Sequence, residues 1–164
     1  MKAGDAAKAV TAYRAAVRYS GKGDGIAELA RPQLDFLKKV LLKDSSFSSL
    51  DAYIANAKLF DDAFVCLTRQ EFEKAVELFN RVLSQNPRHV QSFGNLALAY
   101  AGLGKRAAAM ECFDRALALD PGYEPAIINR RITEQMREGE PHIPDGLQEV
   151  HYYADRFKEE RGEP

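Results

Sequence analysis

Three histidines, two cysteines and a few adjacent charge pairs are the side chains with chemistry to offer in this chain. His142 and His151 flank a turn that also carries Asp145 and Glu149. Imidazole nitrogens and carboxylate oxygens are the donors a divalent metal takes, but this spacing fits no strong ligand motif. Ordinary surface histidines are expected, and no metal is assigned. His89 follows the turn at Pro87 and is expected to be exposed. Cys66 and Cys112 have neither the spacing of a metal knuckle nor that of a CxxC redox pair, so they read as free, buried thiols of a cytoplasmic chain. Asp61-Asp62 and Glu159-Glu160 are adjacent in sequence, and on a helix adjacent side chains diverge, which suits a solvated face better than an acid–base dyad. Arg130-Arg131 has two readings, contact with an anion or partner, or a solvated role near a helix C-terminus. Gly102-Leu103-Gly104 is a hairpin turn, since a phosphate-binding loop needs a preceding strand and none is indicated. No catalytic residue or cofactor site is assigned, and the chain is not expected to be an enzyme.

Composition narrows the partners. At 164 residues the chain is one domain or one compact array. Its 46% hydrophobic content is too high for disorder. A net charge of −1 supplies no field for nucleic acid or an anionic membrane. Apolar runs are only a few residues long, so no membrane-spanning helix is expected, and the N-terminus lacks the apolar stretch of a signal peptide.

Helical spacing runs through most of the chain. Ala6, Ala9, Val10, Tyr13, Ala16 and Val17 recur at helical intervals. The turn-rich Ser20–Gly25 follows, then a helix over Ile26–Lys43 in which Pro32 marks a first turn or a kink. Asp44–Ser49 is a linker. Leu50–Thr68, Phe72–Gln85, Arg88–Gly102 and Lys105–Leu119 read as helices, the second closed by Asn86-Pro87 and the last by Asp120-Pro121-Gly122. Asp120 is a candidate cap for the helix that follows. A last helix is expected over Asp145–Glu160, opened by a capping box at Asp145 and Gln148, with Leu147, Val150, Ala154 and Phe157 as its apolar face.

Two of these segments repeat. Asn56–His89 overlies Val90–Tyr123 at a period of 34 residues, placing Leu59 on Phe93, Ala63 on Ala97, Cys66 on Tyr100, Ala75 on Ala109, Phe79 on Phe113 and Pro87 on Pro121. Phe93, Leu96-Ala97, Tyr100, Ala109, Phe113 and Pro121 resemble the signature of the tetratricopeptide repeat. That resemblance implies an all-α right-handed solenoid of antiparallel helix hairpins. In it, residues 4–19 would be a half-repeat and 26–55 a divergent helical insertion. Residues 56–89 and 90–123 would be full repeats, and 124–160 a partial repeat with a C-terminal capping helix. The half-repeat suggests an array that starts further upstream. In the third repeat Arg130 and Arg131 replace Leu96 and Ala97, and Arg131 cannot allow the close helix approach that Ala97 does.

The resemblance also locates function, on the concave face lined by the first helix of each pair. The residues in phase are Phe60, Phe64 and Leu67, then Asn95 and Leu98, then Ile128, Asn129 and Ile132, with Gly94 and Ala101 leaving room. The clamp by which some family members grip a peptide carboxylate would need Lys and Asn at Phe60 and Phe64, and Lys and Arg at Pro125 and Asn129; only Asn95 matches. An apolar groove for a helix or extended peptide is therefore expected, in a protein-interaction or scaffold module without cofactor. Alternatives are a groove filled by residues 26–55 or 145–160 of the same chain, burial in a homodimer, and a docking or regulatory segment of a larger enzyme.

Overall fold

A computed structural model describes residues 3–21, 25–43 and 46–142. Among them are seven helices and no strand: α1 (Ala3–Tyr19), α2 (Ile26–Leu42), α3 (Leu50–Thr68), α4 (Phe72–Gln85), α5 (Val90–Gly102), α6 (Arg106–Leu119) and α7 (Glu124–Thr133). The expected capping helix over Asp145–Glu160 lies outside the described residues. The chain divides into two compact units, Met1–Lys58 and Leu59–Pro164, with the division inside α3.

In the first unit α1 packs on α2. Val10, Leu37 and Leu50 form its buried centre, with Tyr13, Leu34, Leu41 and Ile54 against them. Arg14 grips the Asp51 carboxylate with both guanidinium nitrogens, one of them at 3.1 Å. α2 runs from Ile26 to Leu42 with the exposed Pro32 inside it, so Pro32 lies beyond the first turn, the position the sequence also allowed.

The second unit carries the 34-residue period into its geometry. In α4, Phe72, Ala75, Phe79, Val82 and Leu83 are buried, one stripe of a 3.6-residue helix. Phe79 and its counterpart Phe113 are fully buried, as are the pairs Ala63/Ala97 and Ala75/Ala109. The small residues let helices approach, and the two rings fill the core between them. The hairpin turns repeat as well. The N–H groups of Gln70 and Glu71 donate to the carbonyls of Leu67 and Cys66, and those of Gly104 and Lys105 donate to Ala101 and Tyr100. Gln70 and Gly104 both take left-handed backbone, with φ of 60° and 71°.

After α7 the chain returns to the α5–α6 turn. Gly139 donates to the Gly104 carbonyl at 2.8 Å, and His142 to the Ala101 carbonyl at 3.0 Å. The Glu138 carboxylate accepts from the Ala107 N–H at 2.9 Å, which caps the N-terminus of α6 from 31 residues away. Gly139 thus sits on Gly104 about one repeat later, so the segment that replaces the usual tight turn still stacks on the turn before it. The Asp120 Oδ1 accepts from the Gly122 N–H at 3.0 Å, closing the turn that leads into α7.

Candidate functional site

Two rings occupy equivalent points of the two repeats. Tyr123 immediately precedes α7, and its ring lies where a side chain on Gly94 would project. One repeat earlier, His89 immediately precedes α5 and packs edge-on against Phe60, their centroids 5.0 Å apart. The room expected beside Gly94 is filled by Tyr123. The room beside Ala101 is bordered by the backbone of His142.

His89 is not the exposed turn residue its sequence position suggests. It is half-buried, with Nδ1 2.7 Å from Ser92 Oγ, and desolvation pushes its pKa down to about 4. A neutral imidazole follows, packed on Phe60 and hydrogen-bonded to the Ser92 hydroxyl at the start of α5. The thiols are equally quiet: burial raises both, Cys112 to about 11. A thiol held protonated is a poor nucleophile and a poor metal ligand. Among the described residues no three His, Cys, Asp or Glu side chains gather as a metal site, and His151, Asp145 and Glu149 lie outside them.

The eight groove positions fall into three groups. Leu67, with 0% of its surface exposed, and Leu98, with 9%, are core residues, because the neighbouring helices close over them. Phe60 and Phe64 are half-buried against that core, and Phe60 also touches Phe79. Asn95 and Asn129 are half-buried, and Asn129 donates to the carbonyl of Pro125 at 2.8 Å. Ile128 and Ile132 remain open, 58% and 42% exposed, and Ile127 joins them at 47%. The opposite side of the same helix is core, through Ala126 and Thr133.

Arg130 and Arg131 separate by environment. Arg130 reaches back to Asp114 at 2.6 Å and also binds Glu134. These bonds, led by the one from Asp114, raise its pKa and hold α7 to α6. Arg131 is exposed. On the other side of α5 there is an open cleft of about 450 Å³ lined by Phe93, Leu96, Tyr100, Cys112 and Arg115 among others. Sequence reasoning missed it, since Phe93, Leu96 and Tyr100 are repeat-signature positions whose expected role is packing.

A family model described as tetratricopeptide repeat matches residues 67–124. An uncharacterized protein of Methanocaldococcus jannaschii is 42% identical over 50 residues, which are 30% of this chain and 58% of that protein. The match thus spans less than two thirds of the relative's length. No solved structure matches the chain. Among the described residues no helix is long and apolar enough to cross a membrane.

Proposed function

With residues 67–124 a tetratricopeptide-repeat segment, the kind of array that serves as a protein–protein interaction module, we propose that this chain binds a protein or peptide through the apolar side of α7 and the adjoining concave positions of α3 and α5. One observation carries the reading. α7 is apolar on two sides, with Ala126 buried in the core, Ile128 and Ile132 exposed opposite it, and Ile127 exposed to one side. A helix exposed to water along its outer side needs no such isoleucines, and a run of them is the usual mark of a contact surface. Phe64 and Asn95 border the same surface by repeat phase. The partner is a protein rather than nucleic acid or lipid, since a net charge of −1 attracts neither polyanion. An amphipathic helix suits the surface, because it places apolar residues at i and i+4 opposite Ile128 and Ile132.

Affinity capture tests this with the wild-type chain and the double variant Ile128→Glu/Ile132→Glu. The wild type is expected to retain a defined protein that the variant loses, while the two melt within about 1 kcal/mol of each other, as exposed substitutions do. Undiminished capture by a folded variant would contradict the reading.

A further inference from the structure

In the first unit α2 carries two apolar stripes. One is turned to the unit's centre: Ala30 and Leu37 are buried, and Leu34 and Leu41 pack beside Val10 and Leu50. The other lies about a quarter turn around the helix. There Ile26, Leu29, Phe36 and Val40 are 49%, 76%, 61% and 48% exposed. With the exposed Gln33 they occupy positions 26, 29, 33, 36 and 40, alternating steps of three and four residues. That is the a/d seam of a coiled coil, and it runs about 21 Å along the helix. The outer side of a helix packed on its own unit is ordinarily polar, so a second apolar seam marks a contact. We propose that this seam is the interface of an antiparallel homodimer, with α2 laid on α2 of a second copy across a two-fold axis near Gln33.

Three observations select a second copy as the occupant. The seam asks for a helix with the same repeat, and α2 is itself such a helix. It is already ordered by packing on α1, which lowers the cost of association. Gln33 stands at the middle of the seam, where a polar side chain among apolar neighbours needs a matching partner. A carboxamide both donates and accepts, so on the two-fold axis Gln33 meets its own copy and each amide satisfies the other. Charge fixes the direction. Glu28 and Lys39 are exposed, eleven residues or about three turns apart, on one line of the helix that flanks the seam on either side of Gln33. Antiparallel pairing brings each Glu28 toward Lys39 of the other copy, twice per dimer, whereas parallel pairing sets like charge on like. The interface uses α2 alone and is independent of the reading of α7.

Analytical ultracentrifugation of the full chain tests this, from low micromolar to several hundred micromolar protein. The mass should rise with concentration to twice that of one chain. Phe36→Glu should weaken the association at least tenfold while circular dichroism keeps the wild-type helical content. Glu28→Lys alone and Lys39→Glu alone should each weaken it several-fold. An equimolar mixture of those two chains should restore it, since both junctions of an antiparallel pair then join opposite charges. A single-chain mass at every concentration would overturn the proposal, as would a dimer that a folded Phe36→Glu chain retains undiminished. A dimer strengthened by Glu28→Lys would rule out the antiparallel arrangement.

Discussion

The ring of Tyr123 comes within 3.0 Å of the point where a β-carbon on Gly94 would sit. One repeat earlier the same two positions hold Phe60 and His89, in edge-on contact. Volume is conserved between the repeats while its source is exchanged: a large ring on the helix with a smaller ring before the next helix, or a glycine with a tyrosine. In both repeats the space beside the first helix is filled from within the chain.

The exchange makes a coupling measurable. Gly94→Phe alone should overpack against Tyr123 and cost about 1–3 kcal/mol. Tyr123→His alone should leave a gap and also destabilise. Combined, they recreate the Phe60–His89 pair, and the double variant should be more stable than the sum of the two changes. Chemical denaturation of all four chains in a double-mutant cycle measures this, with a favourable coupling of about 1 kcal/mol expected for residues in contact.

Protonation of His89 should destabilise the second unit. Its folded pKa of about 4 lies below the ordinary value of 6.5, so between those limits the unfolded chain binds more protons than the folded one. Stability contributed by the neutral ring is complete above pH 6.5 and is lost as pH falls toward 4. The loss approaches about 3 kcal/mol below pH 4. Thermal melts at pH 7 and pH 5 should separate more in the wild type than in His89→Asn, which retains a partner for Ser92.

The two hairpin turns should answer glycine chemistry in opposite directions. Gln70 holds φ at 60°, a conformation that costs an L side chain about 1 kcal/mol, so Gln70→Gly should raise stability by up to that amount. At Gly104 the φ is 71° and a β-carbon would come within 2.9 Å of the Gly139 backbone. Gly104→Ala should therefore destabilise by about 1–3 kcal/mol. Loss of amide protection at Gly139, which donates to the Gly104 carbonyl, would locate the damage.

Residues in one groove phase should differ by burial. Leu98→Glu places a carboxylate in the core and should cost more than about 3 kcal/mol, while Ile128→Glu should cost less than 1. Urea midpoints of the two variants distinguish them directly. Equal, large losses would place Ile128 in a core as well.

What the sequence displayed and what it hid follow from periodicity. The helices α4, α5 and α6, their closing turns and the paired Phe79 and Phe113 were legible because packing forces residue types to recur every 34 positions. The filling of Gly94 by Tyr123 was not, since the void and its filler belong to different helices and neither breaks the pattern. His89 looked exposed because it follows a proline turn; the ring of Phe60 across the hairpin packs against it. Leu67 and Leu98 shared a phase with Ile128 and Ile132, yet phase alone does not register that interior repeats have neighbours on both sides. The end of the described array lacks one, and there the same phase stays open to water.

Site-specific photo-crosslinking tests the central claim most directly. A photoreactive side chain is placed at Ile132, on the open side of α7, and in a second chain at Asn80, exposed on α4 beside the cleft behind α5. In the presence of the captured protein, the chain modified at Ile132 should yield a covalent adduct with it and the chain modified at Asn80 should not. Adducts from Asn80 alone would move the interaction to the other side of the repeats and contradict the assignment to α7.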